Sequence, residues 1–180
     1  MKKTILSLLI AMITMVSIAQ KKTTTSAIIS FDATTTLDAL PKAENTTVVA
    51  ALNTKSGDVQ FEVTIKNFSF SNPRMQDHFN SKNWMDSDQF PISTFKGKIT
   101  DLKAVNFSKN GTYTVDVEGE LSLHGATKKI SSKATIEVEK DKIKCKTDFS
   151  INLDDYQISA GPIISGKVSK EPKITVSAEF

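Results

Sequence analysis

The sequence predicts an all-β fold, an eight-stranded antiparallel β-barrel with a short helical lid segment. Three observations predict it. Apolar and polar residues alternate with period 2 through most of the chain, which gives each run one dry face and one wet face. Several runs are joined by short polar links, as antiparallel neighbours allow. One stretch, residues 72–91, breaks the alternation and gathers the only Trp with two Phe and two Met.

The runs follow in order. Weak alternation marks strands at 26–32 and 46–52, and the Thr-rich start at 23–25 reads as a frayed end. Val59, Phe61, Val63 and Ile65 share one face, and Phe95, Gly97 and Ile99 share another after the interruption. In "GTYTVDVEGELSLHG", Tyr113, Val115, Val117, Gly119, Leu121 and Leu123 oppose Thr114, Asp116, Glu118, Glu120 and Ser122. Ile130, Ala134, Ile136 and Val138 continue the pattern, then Ile143, Cys145, Phe149, Ile151 and Leu153. Ile174, Val176, Ala178 and Phe180 form the last run. The stretches "KNGT" (109–112) and "EKDK" (139–142) read as hairpin links, and "HGAT" (124–127) as a similarly short one.

One dry face per strand means that the sheet curls round a single interior, and closure removes its edges. About eight long strands leave that interior either just filled by side chains or wide enough for one small ligand. Gly97, Gly119, Ser132, Ala134, Thr147 and Ala178 all fall on the inward parity. Small inward residues fit a cavity or close packing at a bend, and the residues alone leave both readings open.

Residues 1–19 stand apart from this pattern. A positive start, Met1-Lys2-Lys3, precedes an apolar run from 5 to 16 and the small-x-small sequence Ser17-Ile18-Ala19. That is the layout of a secretory signal peptide cleaved near Ala19, which leaves 20–180 as one barrel domain in the periplasm or outside the cell. The run falls short of the roughly 20 apolar residues that span a bilayer. The chain carries 23 Lys and Arg against 20 Asp and Glu, and the leader holds two of the Lys and no acid. The mature domain is therefore nearly neutral, which gives no reason to expect nucleic acid as a partner.

The chemistry of a catalytic site is scarce. His78 and His124 are the only histidines, and their spacing matches no compact metal-ligand motif. Cys145 cannot form an internal disulfide, and its strand parity makes it a small buried hydrophobe rather than a nucleophile. His124 follows the polar parity and reads as a buttress at a strand end. Asp86, Asp88, Asp154 and Asp155 read as turn formers or solvated acids. No enzyme, metal or cofactor is expected.

The interruption remains. Asn72 is an N-cap candidate with Pro73 at the first helical position, and Met75, His78 and Phe79 have helical spacing. The segment reads as a lid that plugs one barrel end or lines the mouth of a cavity.

Two stretches resemble a known family. "MQDHFNSKNWMDSDQFPISTFKGKI" is similar to the signature of the YceI-like proteins, an H-F-x-S segment followed by aromatic-Pro-x-x-x-F. "GTYTVDVEGELSLHGATKKI" resembles their G-x-L-x-x-H-G-x-T-K strand and turn, here Gly119, Leu121, His124, Gly125, Thr127 and Lys128. The resemblance covers about residues 57–153 well and the final strand reasonably. The amino-terminal "FDATTTLDALPKAENTTVVAAL" departs from the family pattern, and "DDYQISAGPIISGKVSKEPKI" follows it only loosely.

The resemblance implies an extended, lipocalin-like barrel, exported to the periplasm, with a long apolar cavity for an isoprenoid chain. The implied ligand is a polyprenyl lipid, an isoprenoid quinone or another long-chain lipid, held for sequestration or transport. The alternative is a filled barrel, a periplasmic interaction or stress-related module without a small ligand. The expected ligand-contacting residues are the inward Phe61, Phe95, Tyr113 and Phe149, and the lid residues Met75, Phe79, Trp84 and Phe90. His78 is expected near a polar head group. The expected protein is soluble, with transient membrane contact.

Overall fold

The computed structural model describes residues 21–159 and 161–180. The leader and its cleavage position lie outside the described residues. Among the described residues nine strands form: β1 (Lys21–Asp32), β2 (Lys42–Asn53), β3 (Asp58–Thr64), β4 (Ser69–Phe70), β5 (Ile92–Ile99), β6 (Gly111–Leu123), β7 (Ala126–Glu139), β8 (Lys142–Ser150) and β9 (Lys173–Glu179). Hydrogen bonding runs β1-β9-β8-β7-β6-β5-β3-β2, and β2 returns to β1, so eight strands close a ring. The two-residue β4 adds to β2 outside that ring, through Ala43↔Phe70. At about 3.3 Å per residue, the 13-residue β6 makes roughly 40 Å of tilted wall.

Closure follows from the parities. Val115, Val117, Gly119, Leu121 and Leu123 of β6 face the axis, while Thr114, Asp116, Glu118 and Glu120 are exposed. The wet face carries cross-strand ion pairs such as Lys133–Asp116 at 2.7 Å and Lys142–Glu179 at 2.6 Å, each contributing little in water.

The amino-terminal expectations need correction. Residues 23–25 are not frayed. They lie within β1, where Thr23 faces Ala51 and Thr24 faces Ala50 on β2. Threonine's branched Cβ suits an extended strand even where no apolar alternation advertises one. "KNGT" is not a hairpin either. It ends an eleven-residue link between β5 and β6 that includes a 3-10 turn at Leu102–Ala104. "HGAT" is a true two-residue turn, with His124 at φ 50° and Gly125 at φ 77°, the left-handed pair that a tight hairpin needs.

Two packed clusters close the barrel. At one end Leu52, Ile99, Val105, Val115, Val138 and Ile143 are buried together. At the other sits the lid, α1 (Pro73–Asn80), capped by Asn72, whose side chain accepts from the Arg74 N–H at 3.0 Å. Phe79 is the hub of that end. Its ring lies 5.0 Å from Phe70, 5.7 Å from Phe68, and 6.0 Å from both Phe31 and Trp84, measured between centroids. The β8–β9 link completes the plug with buried Ile151, Leu153, Tyr156, Ile158, Ile163 and Val168. It contains a 3-10 turn (Leu153–Tyr156) and the one-turn α2 (Gly161–Ile164).

Candidate functional site

Between the two plugs the inward side chains do not meet. Val117 and Leu121 on β6, Phe61 on β3, Phe95 on β5 and Phe149 on β8 point to the axis yet are only half-buried. A side chain in mid-wall can be half-exposed and inward only if it borders a hollow. That hollow has a volume of about 160 Å³ and touches residues of every strand in the ring, from Ile29 on β1 to Val176 on β9.

Its chemistry is apolar. Ile29, Val59, Val63, Ile136, Ile174 and Phe180 join the residues above. The polar side chains that border it are mostly occupied. Ser93 is buried and donates to the Ser122 carbonyl at 2.8 Å. Ser132 and Thr147 hydroxyls lie 2.6 Å from each other. Cys145 also borders the hollow, and burial pushes its thiol up to about 12 from an ordinary 9.0. It is a neutral, apolar wall group at any ordinary pH, as its strand parity implied.

Two glycines shape the wall. Gly97 and Gly119 face each other across β5 and β6. A Cβ on Gly119 would lie 2.6 Å from the Phe95 ring and 2.5 Å from the Lys96 carbonyl oxygen. The end of the Phe95 ring occupies the space that a Cβ on either glycine would take.

The structure divides the nine expected residues. Phe61, Phe95 and Phe149 line the hollow. Phe79 and Trp84 are buried inside the lid-end plug, with Met75 half-buried against it. Tyr113 has the right parity but sits at the opposite end, where its hydroxyl donates to the Lys109 carbonyl at 2.9 Å. Phe90 packs against His124 with the rings tilted at 56° and 4.5 Å between centroids, and a Cβ on Gly125 would come 2.8 Å from its ring. His78 is exposed on α1 and does not border the hollow. Parity assigns a face but not a height along the barrel, and aromatic identity favoured the plugs. The aliphatic liners Val117, Leu121 and Ile174 carried the same parity signal and were legible by it.

The two quoted motifs meet in space at that Phe90–His124 contact. His124 Nδ1 lies 3.0 Å from the Tyr156 carbonyl oxygen, which fixes the ring under the plug. The histidine is a buttress, as its position predicted. Among the described residues no group of three metal-ligating side chains occurs, and no helix is long and apolar enough to cross a membrane.

The YceI-like domain model matches residues 14–180. The chain belongs to the YceI-like family. A UPF0312 protein of Pseudomonas fluorescens is 36% identical over 83 residues, covering 45% of this YceI-like chain and 41% of that relative. The matched stretch thus spans less than half of the relative's length. Solved structures are more distant in sequence and close in shape. A polyisoprenoid-binding domain from Saccharophagus degradans, implicated in plant cell wall breakdown, superposes with a TM-score of 0.72 at 15% identity, over 86% of this chain and 93% of that one. Burkholderia cenocepacia BcnA gives 0.70 at 14% identity, over 86% and 96%. The Campylobacter jejuni YceI protein gives 0.53 at 19% identity, over 74% and 80%. These likenesses place the chain in the YceI-like barrel fold.

Proposed function

We propose that the barrel holds the apolar chain of an isoprenoid-type amphiphile, a polyprenyl lipid or isoprenoid quinone, for sequestration or transport outside the cytoplasm. The observation that carries this reading is the hollow between two packed plugs. Its wall offers branched aliphatic side chains and phenyl rings, and its few hydroxyls bond to one another or to the backbone. Such a wall rewards a branched hydrocarbon at about 0.8 kcal/mol per buried CH₂. It gives nothing to a polar solute, which would lose its water without replacement. The polyisoprenoid-binding description of the Saccharophagus degradans domain supports the same ligand class. The leader pattern at 1–19 supports export, and transient membrane contact would supply the lipid. The reading requires no catalytic group and no cofactor.

The test is native mass spectrometry of the purified protein, with solvent extraction of whatever it carries. A co-purifying isoprenoid, or micromolar uptake of a farnesyl-chain fluorophore by the delipidated protein, is the expected result. A protein that emerges empty and takes up no such probe refutes the reading. One observation favours a second reading, a filled barrel acting as an interaction module. The hollow of about 160 Å³ is close to the roughly 150 Å³ that admits benzene.

A further inference from the structure

The barrel wall is not continuous. β7 pairs with β6 along its length, from Gly111↔Val138 to Leu123↔Ala126. With β8 it pairs only from Glu139↔Lys142 to Ala134↔Thr147. Beyond that pair β8 continues on β9 alone, as far as Ser150↔Lys173. Residues 126–133 of β7 therefore have a strand neighbour on one side only. The two strands diverge into a wedge.

Side chains take over where the ladder stops. At the apex Ser132 Oγ lies 2.6 Å from Thr147 Oγ1 and 3.2 Å from the Asp148 carbonyl oxygen, and Thr147 Oγ1 donates to the Lys133 carbonyl at 2.8 Å. At the foot, the wedge is tied by the His124–Tyr156 contact and by Lys128–Asp155 at 3.8 Å. The hollow comes up to this apex, bordered there by Ser132, Lys146 and Thr147, and runs alongside the wedge past Phe149 and Ile151. Among the residues that line it only Lys146 is exposed, and its side chain forms no ion pair among the described residues.

We propose that this β7–β8 wedge is a lateral portal, through which the head of a chain-bearing ligand protrudes while its apolar tail lies in the hollow. The inference rests on the lipid reading above. A chain of several isoprene units exceeds a volume of about 160 Å³, so part of it must leave the barrel. Leaving by either end means parting a packed cluster of large apolar side chains. Leaving by the wedge breaks no β7–β8 ladder pair and meets only side-chain ties, the Ser132–Thr147 hydroxyl contact at the apex and the His124–Tyr156 and Lys128–Asp155 contacts at the foot. The Ser132 and Thr147 hydroxyls at the apex, with the exposed Lys146 next to Thr147 on the outer face of the ladder, suit a head that bears acceptor oxygens.

The experiment uses a geranylgeranyl ether with a benzophenone head, loaded into the mature protein, irradiated and mapped by peptide mass spectrometry. Adducts at 129–133 and 146–149 are expected. Ser132→Trp, which fills the apex, lowers adduct yield by at least about tenfold, with its fold checked by circular dichroism. The wild-type map stands even if that variant misfolds. Adducts concentrated at 66–90 or 99–109 overturn the portal and leave the lipid reading intact. A protein that retains no probe before irradiation overturns both.

Discussion

At the lid end Phe79 is 4% exposed and surrounded by four aromatic rings, whereas in mid-barrel Val117 and Leu121 face the axis and remain half-exposed. The first region is dense, aromatic and hydrogen-bonded through its turns. Ser87, itself buried, ties the lid by donating from its N–H to the Asn80 carbonyl at 3.2 Å. The second is aliphatic and leaves room. The contrast separates two jobs. Bulky rings that interlock are closure, and modest branched side chains that fail to meet are capacity. A binding function in this fold sits where the composition looks least distinctive.

Substitutions that invert the two regions test the division. Phe79→Ala has the largest expected effect, a loss of about 3–5 kcal/mol, because the site cannot collapse on the missing ring. Urea unfolding measures it, and a loss under 1 kcal/mol would show that the plug is loosely packed. Val117→Trp puts a ring into the hollow. Its expected cost is smaller, about 1–3 kcal/mol of strain, but uptake of a farnesyl-chain fluorophore falls by at least about tenfold. Unchanged uptake in a titration would place the chain elsewhere.

The Cys145 thiol tests mid-barrel by pH. Burial raises it from 9.0 to about 12. Below pH 9 it is protonated in both folded and unfolded chains, so its contribution is constant. Between pH 9 and about 12 only the unfolded chain ionises, and stability falls by at most about 1.4 kcal/mol per pH unit. Cys145→Ala removes that slope, and denaturant titrations at pH 8, 9.5 and 10.5 detect it. The smallest effect belongs to Tyr156, whose buried hydroxyl has no hydrogen-bond partner among the described residues. Tyr156→Phe removes an unmet polar group and is expected to be neutral or stabilising by up to about 1 kcal/mol. A clear loss of thermal stability would reveal a partner for that hydroxyl.

Much of this was legible in the residues. The alternation from Val59 to Phe180 is local, so it gave the barrel, the inward face and the tight His124-Gly125 turn. The Asn72-Pro73 cap announced α1 for the same reason. What escaped was height and register. Tyr113 and Val117 share a face, but only the assembled ring puts one at an end and the other beside the hollow. The Thr23–Thr25 stretch gained its place from pairing with β2, which its own sequence does not encode. The wedge beside Ser132 depends on where β8 stops following β7. That position is decided by how β9 and the plug draw β8 away, a contest between strands far apart in the chain.

The paired glycines have a consequence for how far the wall can be altered. With Gly97 and Gly119 bare, the Phe95 ring lies back against the wall at that level. A side chain added at 119 would meet the Gly97 Cα and the Lys96 carbonyl oxygen at 2.5 Å as well as the ring at 2.6 Å, so tipping the ring aside makes no room for it. Two absent Cβ atoms thus let the β5–β6 ladder and the ring share one layer, and glycine at 119 is demanded by the neighbouring strand before the hollow is reached at all.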